Sequence, residues 1–234
     1  MTAPGLYTLE SATRFGWGSA AAELPPERVE LLARHVVGTR VLDAGCGGGG
    51  YVDLLARKGL DAVGVDKFDF YLGLAAERNL RGSFLQADLT EGLPFPDKHF
   101  DTAFSFDVFE HVDDEAAVRE LARVTRRRLL VIVPQEDTAL RHFGMTLGPY
   151  RDPTHLRYYT ADRLHALAAA VGGTAVVFPE SRVPLPQLAS THLRVRSRWP
   201  GLGRVYAAAL RFLLRRAVAD RLFQNLAAVI DLPA

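Results

Sequence analysis

Val41-Leu42-Asp43-Ala44-Gly45-Cys46-Gly47-Gly48-Gly49-Gly50 reads as a short buried strand running straight into a glycine cluster and then a helix. Glycines at such a junction let the backbone take positive φ and bring its amides against a nucleotide-like group, because no Cβ stands in the way. Gly45, Gly47 and Gly50 also satisfy the G-x-G-x-x-G spacing of dinucleotide sites, so the turn by itself admits two kinds of cofactor. Asp43 tilts the reading. A pyrophosphate sits badly beside a carboxylate two residues ahead of the first glycine, whereas a cofactor carrying an ammonium and a sulfonium is attracted to it.

Downstream of this turn, short apolar runs alternate with segments of helical periodicity from Arg40 to Val133, the pattern of βαβ units. Leu129 to Val133 is apolar at every position and suits a strand buried on both faces, so a mostly parallel, doubly wound sheet is expected. Asp113, Asp114 and Glu115 place acid at the start of a helix through Arg123, and Arg126 to Arg128 follow its end. Pro26 to Val37 reads as an amphipathic helix, preceded by a segment with Tyr7, Phe15, Trp17 and Gly18 that is expected to cover a site. After the fifth strand come a loop with Pro134, Gly144, Gly148, Pro149 and Pro153, a helix from about Thr160 to Val171 and a strand from Thr174 to Phe178. Pro179, Pro184 and Pro186 then open an insertion containing a helix near Leu202 to Phe223, and Leu226 to Leu232 closes the chain as a strand.

At 234 residues, 48% hydrophobic and 24% charged, the chain suits one α/β domain rather than two, and neither disorder nor a fibrous repeat. Its expected divisions are an N-terminal cap and helix over 1–37, a cofactor-binding core over 38–180, a helical insertion over 181–223 and a final strand over 224–234. Cys46 is the single cysteine, which excludes an intrachain disulfide. With no apolar leader at the N-terminus, a cytoplasmic location is expected. Gly201 to Phe223 is interrupted by five arginines that a bilayer-spanning helix would not tolerate. The net charge of +1 hides an asymmetry, since residues 182–234 hold nine arginines against two aspartates. Arginines spread along a helix most often make a solvated face. Residues 201–223 could also meet an anionic membrane or pair two subunits, uses not expected by default.

Two further acids extend the site. Ala62 to Val65 is a strand ending in Asp66, where a carboxylate can accept both hydroxyls of a ribose in either cofactor class. Asp88 follows the third strand, Phe84 to Ala87, where an acceptor could hold the exocyclic amine of adenine or simply cap a turn.

Taken in order, VLDAGCGGG, VGVD, QADL and LPFPDKHFDTAFSFDVFEHV resemble the successive motifs of the class I S-adenosylmethionine-dependent methyltransferases. FDTAFSFDVFEHV, with Asp152-Pro153-Thr154-His155 and Tyr158 to Thr160, is similar to the small-molecule branch often called type 11 or type 23. The resemblance covers about residues 38–180 and, more weakly, the final strand. It implies a Rossmann-like seven-stranded sheet of order 3-2-1-4-5-7-6 with the last strand antiparallel, and an insertion lying over the active site. It also implies S-adenosyl-L-methionine held by Asp43, Gly45, Cys46 and Gly47 around the methionine moiety, Asp66 with Lys67 on the ribose side, Asp88 and Leu89 at the adenine, and Phe106 and Asp107 near the sulfonium. Where relatives commonly carry a Pro-Gly turn before the fifth strand, this chain has Arg126-Arg127-Arg128.

Methyl transfer from a sulfonium depends on orientation more than on acid strength, and an alcohol or phenol acceptor gains from a base. His155 and His111 are the imidazole candidates, and Asp107 and Glu110 the carboxylate candidates. His111 lies in an EHV tripeptide that resembles a stretch shared across members with different substrates, which favours a structural or cofactor-side role. His155 stands among Arg151, Asp152, Arg157, Tyr158 and Tyr159, and Arg151, Tyr158 and Tyr159 are the expected substrate wall. No His-x-x-x-His, Cys-x-x-Cys or dense acidic cluster suggests a metal, and Cys46 suits a tight turn better than a nucleophile. The expected activity is methylation of a small-molecule acceptor, most simply on oxygen, with nitrogen or carbon as variants and no nucleic-acid partner. An NAD-linked oxidoreductase and a catalytically silent S-adenosylmethionine-binding protein stay open as alternatives.

Overall fold

A computed structural model describes residues 23–136, 152, 154–182 and 223–233, with 8, 10, 201, 205, 208, 209 and 212 besides. The N-terminal aromatic segment, the loop over 137–151 and nearly all of the expected helical insertion lie outside the described residues.

The strands β1 (Arg40–Ala44), β2 (Asp61–Asp66), β3 (Ser83–Gln86), β4 (Phe100–Phe106), β5 (Thr125–Pro134), β6 (Thr174–Arg182) and β7 (Phe223–Asp231) form one sheet of order β3-β2-β1-β4-β5-β7-β6. The first five are parallel to one another, and β7 is antiparallel to both β5 and β6. The expected architecture is therefore the one observed. Leu129 to Val133 are buried on both faces, as a continuous apolar run in a parallel sheet requires.

Helices α1 (Pro26–His35), α2 (Gly50–Arg57), α3 (Asp69–Glu77), α4 (Asp114–Val124) and α5 (Ala161–Ala170) cover the sheet. One apolar layer joins Leu42, Phe100 and Leu129 of the sheet to Val118 and Leu121 of α4 and Leu164 and Leu167 of α5. The other joins Val41, Phe104 and Ile132 to Leu31 and Leu32 of α1 and Val52 and Leu55 of α2. The starts of α4 and α5 are set by local chemistry. Asp113 accepts from the amides of Glu115 and Ala116, and Thr160 from that of Arg163, caps worth about 1 kcal/mol each.

Two sequence expectations change. Arg126 to Arg128 do not form a connection after α4: β5 begins at Thr125, immediately after the helix, and the arginines lie in the strand. Two of them are matched by acids of neighbouring strands, Arg128 by Asp231 at 2.7 Å and Arg126 by Asp101 at 3.4 Å. Pro179 does not end the sixth strand, which continues to Arg182 with Pro179 opposite Leu226. β6 is an edge strand, where a residue lacking an N–H is tolerated. Among the described residues no helix is long and apolar enough to cross a membrane.

Candidate functional site

β1, β2 and β4 end on the same side of the sheet, where ligands gather in doubly wound folds. The glycine turn is tied to β2 there: the amides of Gly45 and Cys46 both donate to the Val65 carbonyl, at 2.8 and 2.9 Å. Gly45 has φ +89°, and a Cβ on it would lie 2.3 Å from Cγ2 of Val108. Glycine is thus required both by backbone conformation and by the close approach of the loop after β4. The turn opens onto a cavity of about 400 Å³ that Asp43, Gly45, Cys46, Gly47, Asp66, Lys67, Asp88, Leu89, Phe106 and Asp107 all border.

The turn end of this cavity is acidic. Asp43 is 3% exposed, and its Oδ2 has no hydrogen-bond partner. Burial, then the nearby Asp66 charge, pushes its carboxyl well above the usual range. Asp66 is also raised by burial, against hydrogen bonds from the amides of Gly47 at 2.9 Å and Phe68 at 3.0 Å. Asp88 differs. Burial opposes its charge, but Lys67 at 2.5 Å and the amide and hydroxyl of Thr90 hold its carboxyl below the usual range. Burial pushes the Cys46 thiol up, which fits a packing residue of the turn and not a nucleophile.

Asp107 follows β4 with φ +58°, an uncommon conformation for a residue with a side chain. Its amide donates to the Ile132 carbonyl at 2.9 Å, and its carboxylate is gripped by Arg28 of α1 at 2.6 and 3.1 Å. Arg28 also stands 3.7 Å from Glu180 and 5.7 Å over the Phe106 ring. Sequence reading missed Arg28 and its neighbour in the cavity, Tyr51. A signal existed for Arg28: it precedes Leu31 and Leu32 by three and four residues and so shares their buried face of α1.

At the far end, Glu110 and His111 lie in the 3₁₀ turn Phe109–His111 after β4 and meet His155 from the segment before α5. The His111 and His155 rings are 4.8 Å apart, and Asp152 lies 3.9 Å from His155 Nε2. Burial, then the neighbouring His111, lowers His155 to about 4, so the imidazole is neutral near pH 7. Burial, then Asp107, pushes Glu110 well above the usual range. Thr154, part of the Asp152-Pro153-Thr154-His155 motif but given no role from sequence, contacts His111 Nδ1 through its hydroxyl at 3.0 Å and its carbonyl at 3.3 Å.

The expected substrate wall is only partly assembled. Tyr158 packs against His155 at 5.7 Å between ring centres. Tyr159 points the other way: it is fully buried in the core and donates to Asp114 at 3.1 Å, because side chains of successive extended residues alternate in direction. Arg157 is a brace, donating to the carbonyls of Phe109 and Val112. Arg151 lies outside the described residues.

Residues 42–133 match the model of a family described as a methyltransferase domain. The chain is 36% identical over 148 residues to a probable S-adenosylmethionine-dependent methyltransferase of Mycobacterium tuberculosis, covering 61% of this chain and 52% of that one. It is 31% identical over 99 residues to a ubiquinone biosynthesis O-methyltransferase of Methylococcus capsulatus, covering 40% and 42%. It spans about half the length of the curated relatives that it matches. The fold is shared with a solved SAM-dependent methyltransferase from Archaeoglobus fulgidus, at TM-score 0.61 and 22% identity over 87% of this chain and 91% of that one.

Proposed function

We propose, from the match of residues 42–133 to the methyltransferase domain family, that the chain binds S-adenosyl-L-methionine and passes its methyl group to a small-molecule acceptor. The observation that carries the reading is Asp43. A buried carboxylate with an unpartnered oxygen, beside a second buried carboxylate, is costly until a cation reaches it. The ammonium of a methionine moiety is such a cation, and a dinucleotide pyrophosphate is not. Asp66 would then take the ribose, and Asp88 and Leu89 the adenine. Phe106 and Asp107 then border the position of the sulfonium.

The bound cofactor would supply an activated methyl group on sulfur. The chain's contribution is geometric: the glycine turn, Asp43 and Asp66 fix the donor, and near-attack orientation is worth roughly 7–11 kcal/mol. Arg28 occupies both oxygens of Asp107, which suits Asp107 to positioning rather than to proton abstraction. His155 is the better base, with neutral imidazole and its Nδ1 unengaged at the far end of the cavity. That end favours an acceptor oxygen, and the likeness to a ubiquinone biosynthesis O-methyltransferase supports the same choice. The single, buried cysteine supports a cytoplasmic setting. Incubating the protein with S-adenosylmethionine and a panel of hydroxyl and amine acceptors tests the reading. Acceptor-dependent release of S-adenosylhomocysteine is expected, with hydroxyl compounds leading, and none at all would mark a silent binder.

A further inference from the structure

Glu110, His111 and His155 each offer a ligand atom, and the three atoms lie within 4.8 Å of one another. Hydrogen bonding around Thr154 settles which nitrogen His111 presents. The Thr154 hydroxyl donates its one hydrogen to Asp152 at 2.5 Å, so toward His111 Nδ1 it can only accept, and the Thr154 carbonyl can only accept as well. Nδ1 therefore carries the hydrogen. Nε2 holds the lone pair, and it stands 4.0 Å from Glu110 Oε1. That gap is too long for a hydrogen bond between them.

The same cluster holds two buried atoms without hydrogen-bond partners, Glu110 Oε2 and His155 Nδ1. Their side chains are 1% and 7% exposed, so water does not compensate them. We propose that Glu110, His111 and His155 form a binding site for a divalent transition-metal ion at the acceptor end of the cavity. Two imidazoles and a carboxylate suit zinc, manganese, iron or cobalt better than magnesium or calcium. Ligand bonds of about 2.1 Å to a tetrahedral ion separate the ligand atoms by about 3.4 Å, so small side-chain rotations close the set. The Thr154 carbonyl and hydroxyl, with Asp152 behind them, are the outer partners that fix a metal-binding histidine's tautomer.

The chemistry of this site deepens the proposed methyl transfer and rests on it, although ion binding itself does not. A hydroxyl oxygen of the acceptor would take the open position, and the ion would lower its pKa. With His155 bound to the ion, the hydroxyl proton leaves to water, and His155 acts as the base only in the ion-free protein. The oxygen then supplies the electron pair of the new O–CH₃ bond, while the breaking C–S pair returns to sulfur and leaves a neutral thioether.

The test uses the full chain, stripped with a chelator, dialysed and titrated with Co²⁺ under visible absorption. One equivalent should bind and develop d–d bands. Glu110→Gln and His155→Ala should each weaken binding about tenfold or more, and His99→Ala, outside the cavity, should not. Circular dichroism confirms that the variants fold, and the Glu110→Gln change is isosteric. Absence of Co²⁺ uptake at millimolar concentration, or uptake unchanged in the Glu110→Gln/His155→Ala double variant, overturns the site. Calorimetry with S-adenosylmethionine on the same stripped protein reports separately on the cofactor end, so a failure of one reading is not mistaken for the other.

Discussion

Arg28 holds both carboxylate oxygens of Asp107, at 2.6 and 3.1 Å, and so fastens α1 to the loop that follows β4. The guanidinium is nearly buried, at 12% exposed, while Asp107 is 45% exposed. The pair is therefore weaker than the 3–5 kcal/mol lost on breaking a fully buried one. Arg28→Ala should cost about 2 kcal/mol in denaturant unfolding. A double-mutant cycle with Asp107→Ala should return a coupling of about 1–2 kcal/mol. Additive single effects would show that the bridge contributes nothing beyond packing.

Asp43→Asn should separate stability from binding. Above the raised pKa, removing a buried carboxylate with an unpartnered oxygen should raise the unfolding temperature of the cofactor-free protein, yet lower S-adenosylmethionine affinity by about tenfold or more, since a charge-assisted bond contributes about 1.5–3 kcal/mol. The pH dependence has a defined sign. An acid whose folded pKa is raised binds more protons folded than unfolded, so its stability contribution is complete below the ordinary value of about 3.9 and is lost as pH rises through the raised one. The asparagine variant should flatten that decline, and cofactor affinity in the parent should rise over the same interval as the carboxylate ionises. Parallel pH profiles of parent and variant would count against the assignment.

Gly45→Ala should destabilise by about 2 kcal/mol or more, because an L-residue resists φ near +89° and its Cβ would overlap Val108. Adding Val108→Ala should recover part of the loss by relieving the overlap and leave the backbone strain. Full recovery would mean that sterics alone require glycine, and no recovery that conformation alone does.

His155→Ala should lower turnover by about 10² or more with little change in S-adenosylmethionine affinity, the signature of a group acting on the acceptor. His155→Gln should keep much of the activity if the residue only positions the acceptor. Equal losses of cofactor affinity and turnover would move His155 to the cofactor side.

What sequence reading reached and what it missed divide along one physical line. Asp43, the glycine turn and Asp66 were legible because local strand, turn and acid patterns announce them, and the resemblance supplied the strand order. Arg28 and Asp107 are 79 positions apart, and no local pattern announces their bridge. Arg126 to Arg128 looked like the end of a helix because their partners, Asp101 and Asp231, reach them only across the folded sheet. Tyr159 looked like a substrate wall because composition does not say which way an extended residue points, and Asp114 claims its hydroxyl. The pairing of His111 with Thr154 and His155 likewise joins two loops that only the fold brings together.

The central claim is that the acidic glycine-turn cavity holds S-adenosylmethionine, and calorimetric titration of the purified chain with S-adenosylmethionine, with NAD titrated in parallel, tests it most directly. The account predicts saturable one-site binding of S-adenosylmethionine, weakened about tenfold or more by Asp43→Asn, and no binding of NAD. Saturable binding of NAD with no heat from S-adenosylmethionine would contradict it.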